Sequence, residues 1–474
     1  MDTRDNAPGG QPAPGFLSVF SGRADMRNDA PMAAILKLAI PSMALFLFNS
    51  LLHLADTIFV SWLGELPMAA MSFTSPVNMC IFATLECVCS GAISLMGRNL
   101  GRGDLRSARH VARGGLFLLY AVCLISTPMI FPSVSNALFS AIGAGGNPEL
   151  LDLCWKYNMW YPVMLPFMGY TYIANTIFRA QGDTFTPFKA MALANTINIV
   201  LDPILIFNLG WGISGAAIAT WISRIVSSLY IWHRLNVSSQ IKLPPLIRVR
   251  RRLLSYWIPI LWIGVPVGLS TASAALGMGS VNRILSTFGH RAVASWMLGL
   301  RVEELAFNFV NGINIAMTPY IAFNYGKRDP ERMLAGFKSA LLIAFVLMGG
   351  IGAIIYAFPH FFLGIFKPVA EIEYQAAQSI RASVPGYPFN IFLVLSSGFF
   401  VGTGHSIYGT ASQLLRSIVF RVSAAWIFAQ FFPLSRIWWF QSLAFMLGSL
   451  VAMTFFAHHL RALRREFARK DSLL

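Results

Sequence analysis

The chain has 474 residues, 56% of them hydrophobic and only 12% charged, with a mean hydropathy of +0.60. Soluble domains carry about 25% charged residues, so composition excludes a water-soluble globule, and it excludes collagen, a disordered chain and a disulfide scaffold as well. Lys and Arg outnumber Asp and Glu by 36 to 20, a net charge of +16; on so apolar a background the excess points to basic loops at a lipid bilayer and to no nucleic acid partner.

Residues 1–32 are polar and rich in Pro, Gly and Asp, with no basic segment leading into a short apolar core. They are predicted to form a disordered cytoplasmic tail rather than a cleavable leader. A window of about 20 residues then gives twelve transmembrane helices, at 34–63, 68–97, 111–133, 154–178, 187–209, 213–234, 256–287, 292–324, 335–358, 376–402, 409–431 and 437–460. Arg98, Arg102, Arg106, Arg109 and Arg113 follow the second span, and Lys242, Arg248, Arg250, Arg251 and Arg252 follow the sixth. Lys327, Arg328 and Arg332 follow the eighth, and Arg461, Arg464, Arg465, Arg469 and Lys470 close the chain. The positive-inside rule places both termini in the cytoplasm and makes this a multi-pass protein of the cell (inner) membrane.

An internal repeat is visible. Gly97-Arg-Asn-Leu-Gly-Arg-Gly-Asp104 matches Ala322-Phe-Asn-Tyr-Gly-Lys-Arg-Asp329 at an offset of 225, which also takes Pro41 to Pro266 and Gly64 to Gly289. Phe178-Arg-Ala-Gln-Gly182 matches Phe400-Val-Gly-Thr-Gly404 at an offset of 222. Each half has an even number of spans, so the halves enter from the same side and form a parallel repeat. The predicted fold is therefore all-α: an N-terminal six-helix lobe over 33–235, a basic cytoplasmic linker over 236–255, a C-terminal six-helix lobe over 256–460 and a basic tail over 461–474.

Five acids fall inside spans: Asp56, Glu86, Asp202, Glu303 and Glu304. An ionisable residue there is expensive and marks a functional site by default. Asp56, Asp202 and Thr220 each lie about seven residues from the outer end of their spans, at about 10 Å depth. Asn198 and Asn195 continue the Asp202 stripe on one helix face. Two carboxylates, an amide oxygen and a hydroxyl at one depth suit a hard cation such as Na+, or a shared proton. The plainer alternative is a polar cluster that only joins helices. Arg301 lies three residues from Glu304, which suggests an ion pair there and leaves Glu303 the freer acid. No nucleotide loop, His-rich metal cluster or nucleophile motif appears, so an enzyme is not expected.

The segments around these residues resemble a known family. Ala55-Asp-Thr-Ile-Phe-Val-Ser-Trp-Leu-Gly64, Phe178-Arg-Ala-Gln-Gly-Asp-Thr184 with Pro187, Asn198-Ile-Val-Leu-Asp-Pro203 and Gly215-Ala-Ala-Ile-Ala-Thr220 are similar to the multidrug and toxic compound extrusion (MATE) transporters. The match spans nearly the whole chain after residue 33 and favours the prokaryotic branch related to DinF. The resemblance implies secondary active efflux of drugs or toxic organic compounds in exchange for H+ or Na+, with alternating access around a central cavity, no organic cofactor and a monomeric carrier. It implies a cation-coupling site at Asp56, Asn198, Asp202 and Thr220. It also implies polar cavity lining at Asn49, Tyr157 and Asn175, and a kink in the first helix at Pro41. Asn195, Glu86 and Glu303 are further lining candidates. The sodium-coupled NorM-like branch keeps acids in the seventh and tenth helices; here those helices have none, so coupling is expected in the N-terminal lobe alone. A lipid-linked oligosaccharide flippase of the same superfamily is the alternative, with Arg224, Arg301 and Arg421 as the intramembrane cations it would use.

Overall fold

The computed structural model describes residues 22–244 and 251–471. It has twelve long helices: α1 (Pro31–Ser61), α2 (Glu65–Gly101), α3 (Leu105–Ser126), α4 (Trp160–Ala180), α5 (Phe185–Pro203), α6 (Gly212–Ser238), α7 (Trp257–Leu285), α8 (His290–Lys327), α9 (Pro330–Ala357), α10 (Ala370–Gly402), α11 (Ser406–Phe431) and α12 (Phe440–Asp471). A shorter helix, Pro148–Asn158, leads into α4 and is separated from it at Met159. Nine of the spans are long and apolar enough to cross a membrane by length and composition; α4, α6 and α8 fall short of that measure. Those three carry Arg179, Arg224 and the Arg301–Glu304 cluster respectively, the polar load expected of helices that face a protein interior.

Helices α1–α6 and α7–α12 form two lobes, the all-α architecture the repeat predicts. The N-terminal core packs Leu85, Leu116, Ile173, Phe178 and Ile231. The C-terminal core stacks Phe337 on Phe456 at 4.5 Å, with Phe399 and Phe400 alongside. The repeat extends to the backbone. Gly64 and Gly289 both adopt positive φ, 110° and 99°, where α1 turns into α2 and α7 into α8; a β-carbon would be strained there. Asp104 caps α3 through the Ser107 N–H at 2.9 Å, and Asp329 caps α9 through the Arg332 N–H at 3.0 Å.

The lobes meet along α1, α2, α7 and α8. Where α2 and α8 cross, near the basic face, Gly101 rests on the Phe323 carbonyl and Gly326 on that of Arg98, so a β-carbon on either would overlap backbone. Arg98 lies over the Tyr325 ring at 5.7 Å and the Ser94 hydroxyl donates to the Gly402 carbonyl at 3.4 Å. The two lobes are thus sealed against each other at the basic face.

Two differences from the predicted boundaries have physical causes. Residues 22–30, placed in a disordered tail by composition, pack against the α4–α5 loop: Arg23 pairs with Asp183 at 3.1 Å and the Thr184 N–H donates to the Gly22 carbonyl at 2.9 Å. Arg332 donates to the Asp29 carbonyl at 2.6 Å, which ties the same segment to α9. The basic stretch after residue 460 continues α12 as helix to Asp471, with Leu463 and Phe467 buried. Residues 1–21 of the tail, 245–250 of the linker and 472–474 lie outside the described residues.

Candidate functional site

Asp202 stands at the end of α5, where Pro203 withholds an N–H from the ladder and the chain leaves through a wide π turn, Ile204–Asn208. Asn195, Asn198 and Asp202 share one face of α5 and are each 1% exposed. The Asn198 amide nitrogen donates to Asp202 Oδ1 at 3.2 Å and to Thr220 Oγ1 of α6 at 3.4 Å. Thr220 in turn donates to the Ala216 carbonyl at 3.1 Å. Asn195 Nδ2 reaches Asn49 Oδ1 of α1 at 3.5 Å. The Asp56 carboxyl, one turn from the end of α1, lies beside that of Asp202. Tyr157 and Tyr161 stand next to the pair, with ring centroids 6.1 Å apart. Arg224, one turn beyond Thr220, approaches Asp56 and donates to the Met191 sulfur at 3.1 Å.

The chemistry of this site lies in what it lacks. Asp56 Oδ1, Asp202 Oδ2, Asn198 Oδ1 and Asn195 Oδ1 are buried without a hydrogen-bond partner among the described residues, and all four are acceptors. A buried unsatisfied acceptor costs about 1–3 kcal/mol, more when charged, and adjacent carboxylates cannot both ionise cheaply in a low dielectric. The set fits a hard monovalent cation or a proton held between the two acids. Among the described residues no group of three His, Cys, Asp or Glu offers a softer metal a site.

The structure brings Asp56, Asn198, Asp202 and Thr220 together, with Asn195, Asn49 and Tyr157, expected as cavity lining, beside them. Asn175, on α4, has a buried and unpartnered Oδ1, and among the described residues it makes no hydrogen bond to the acid pair. Pro41 is buried within a continuous α1, and the Thr184 hydroxyl donates to the Leu38 carbonyl nearby at 3.0 Å. Glu86 belongs to a different place. It lines a cavity of about 120 Å³ between the lobes, together with Arg179, Asn314, Thr318 and Thr410, and accepts from the Ser90 hydroxyl at 3.4 Å. Glu303, expected to line the substrate path, is instead 2% exposed inside the C-terminal lobe, facing α10 and α11. Glu304 is exposed and pairs with Arg301 at 3.5 Å, as their spacing suggested.

Sequence reading missed Tyr161, Arg179 and Arg416. Tyr161 had a signal, since it follows Tyr157 by one helical turn. Arg179 sits inside the repeated Phe178–Gly182 motif at the position where the second copy has Val401; a difference between copies was the clue.

Twelve helices in two parallel-repeated lobes, with an adjacent pair of acids in one lobe and a polar cavity between them, define a polytopic membrane carrier. The MatE family model matches residues 41–204 and 266–427, one segment in each lobe. The chain belongs to the MATE family and is a transporter rather than an enzyme. It is 30% identical over 340 residues to the FAD transporter of Shewanella oneidensis, covering 70% of each chain. It is 25% identical over 430 residues to the multidrug export protein MepA of Staphylococcus aureus, covering 89% of this chain and 92% of that one. A solved outward-facing multidrug resistance MATE transporter superposes with a TM-score of 0.86 at 28% identity, covering 93% of this chain and 98% of that one.

Proposed function

We propose that this protein exports amphipathic or cationic organic compounds across the cell (inner) membrane in exchange for protons or sodium ions, acting as a monomer with both termini cytoplasmic. The observation that carries this reading is that Asp56 Oδ1, Asp202 Oδ2, Asn198 Oδ1 and Asn195 Oδ1 are buried acceptors with no hydrogen-bond partner among the described residues, which a cation or proton would satisfy. With the basic face taken as cytoplasmic, the seal at α2 and α8 closes the path between the lobes on the cytoplasmic side. A cation then enters from outside, binds between the acids, and repacks α1 around Pro41 so that cargo leaves. Reorientation releases the cation inward. Each charge crossing 100 mV supplies about 2.3 kcal/mol, enough for roughly a fifty-fold cargo gradient. Asp56→Asn is expected to abolish efflux at normal membrane expression; unchanged efflux in the Asp56→Asn/Asp202→Asn double variant would overturn the reading.

A second reading concerns the cargo. The Shewanella relative is named for FAD, a dianionic dinucleotide, and Arg179 in the inter-lobe cavity has a buried Nε without a partner among the described residues. An anionic flavin nucleotide is therefore a candidate substrate of the same cycle. The flippase alternative is less favoured, because Arg301 is exposed against Glu304 and Arg224 faces an acid.

A further inference from the structure

The interior of the C-terminal lobe holds a second cluster of buried charge. Glu303 of α8 is 2% exposed, and Arg416 and Arg421 of α11 are each 8% exposed. α11 leaves α-geometry for a π turn, Leu415–Phe420, which contains Arg416 and ends just before Arg421. In such a turn the bonding interval is five residues, and these arginines are five apart, so the widened turn brings them toward one side. Each guanidinium is braced at its Nε. Arg416 donates to Gln413 Oε1 at 2.9 Å and lies over the Phe445 ring at 5.6 Å; Arg421 donates to Gln441 Oε1 of α12 at 3.0 Å.

Bracing at Nε leaves the terminal N–H groups of each fork as further donors. The counter-charge is incomplete. Glu303 has Arg421 on α11 and Ser383 and Tyr387 on α10 as neighbours, yet among the described residues neither of its carboxyl oxygens has a hydrogen-bond partner. Two guanidiniums stand against one loosely held carboxylate, the reverse of the N-terminal lobe, where Asp56 and Asp202 stand against Arg224. A buried guanidinium without full compensation is costly, and two of them repel a metal cation. Their planar forks match carboxylate and phosphate oxygens. Thr410, on the same helix, lines the inter-lobe cavity, about 9 Å of helix rise from Arg416.

We propose that Arg416 and Arg421 form an anion-binding subsite for a phosphate or carboxylate group of the transported molecule, with Glu303 as the internal counter-charge that the incoming anion displaces. This rests on the anionic-cargo reading above and gives it a place in the fold. Removing Glu303 should then tighten anion binding, whereas removing either arginine should weaken it.

The test uses the full chain in phosphatidylcholine nanodiscs, with flavin mononucleotide and riboflavin as probes, because these differ by a single phosphate. The readout is the ratio of the riboflavin Kd to the mononucleotide Kd, which is insensitive to a general loss of folded protein. A charge-assisted phosphate contact is expected to make that ratio about ten or more in the wild type. It should fall toward one in Arg416→Gln and Arg421→Gln, fall less in the lysine variants, and rise several-fold in Glu303→Gln. A wild-type ratio near one, a ratio unmoved by the arginine variants, or a fall in Glu303→Gln overturns the proposal. A ratio that collapses only when phosphatidylglycerol replaces phosphatidylcholine assigns the subsite to lipid headgroups and overturns it as well. No gradient is imposed, so failure of the cation-coupling scheme leaves this measurement unaffected.

Discussion

Asp56 and Asp202 are side by side, so one proton or one cation changes the energy of the whole cluster. Thr220 offers the finest handle on it, because its hydroxyl is one of two acceptors for the Asn198 amide. Thr220→Val removes that acceptor with little change in volume, at about 1 kcal/mol for one hydrogen bond. The concentration of driving cation for half-maximal efflux is expected to rise about fivefold, with maximal efflux retained. At this scale the sequence was readable where spacing alone decides: Asn195, Asn198 and Asp202 follow helical periodicity, and Asp56 and Thr220 followed from depth. Arg416 was not readable as Arg421's companion, because a regular helix sends residues five apart to different faces. Only the π turn aligns them.

Among the helices, closure at the basic face depends on the α2–α8 crossing. Gly326→Ala inserts a methyl against the Arg98 carbonyl, overpacking that costs about 1–3 kcal/mol and falls only on the sealed state. Ser94, which is fully buried there, serves as a reporter. A cysteine at Ser94 is expected to be unreactive to a polar maleimide in the otherwise wild-type chain and reactive in Gly326→Ala; equal protection in both would contradict the assignment of the seal. The caps give a simpler check. Asp329→Ala is expected to lower stability by about 1 kcal/mol, read as a fall in Tm. At the matching cap, the Ser107 hydroxyl and N–H hold the Asp104 carboxyl below the usual carboxylate range. That contribution is present above the ordinary aspartate pKa and is lost as pH falls through the lowered value. The repeat was legible because these caps and the glycine turns require particular residues. Residues 22–30 were not, because their order comes from tertiary contacts with Asp183 and α9, which composition cannot register.

Over the whole molecule, the net charge of +16 divides into a basic rim and two buried clusters of opposite bias. In the proposed cycle the rim orients the chain, the acids of the N-terminal lobe hold the driving ion, and the arginines of the C-terminal lobe hold an anionic group of the cargo. Twelve spans were legible from hydropathy even though α4, α6 and α8 carry enough polar residues to weaken their own signal. Those are the helices from which Arg179, Arg224 and Glu303 enter the interior. The division of labour requires that transport respond to the driving ion through the N-terminal lobe. The most direct measurement is efflux of a fluorescent cationic drug from vesicles, with proton and sodium gradients imposed separately, in the wild type and in Asp56→Asn/Asp202→Asn. The expected result is that one of the two gradients drives efflux in the wild type and neither does in the double variant. Gradient-driven efflux that persists undiminished in the double variant would contradict the account.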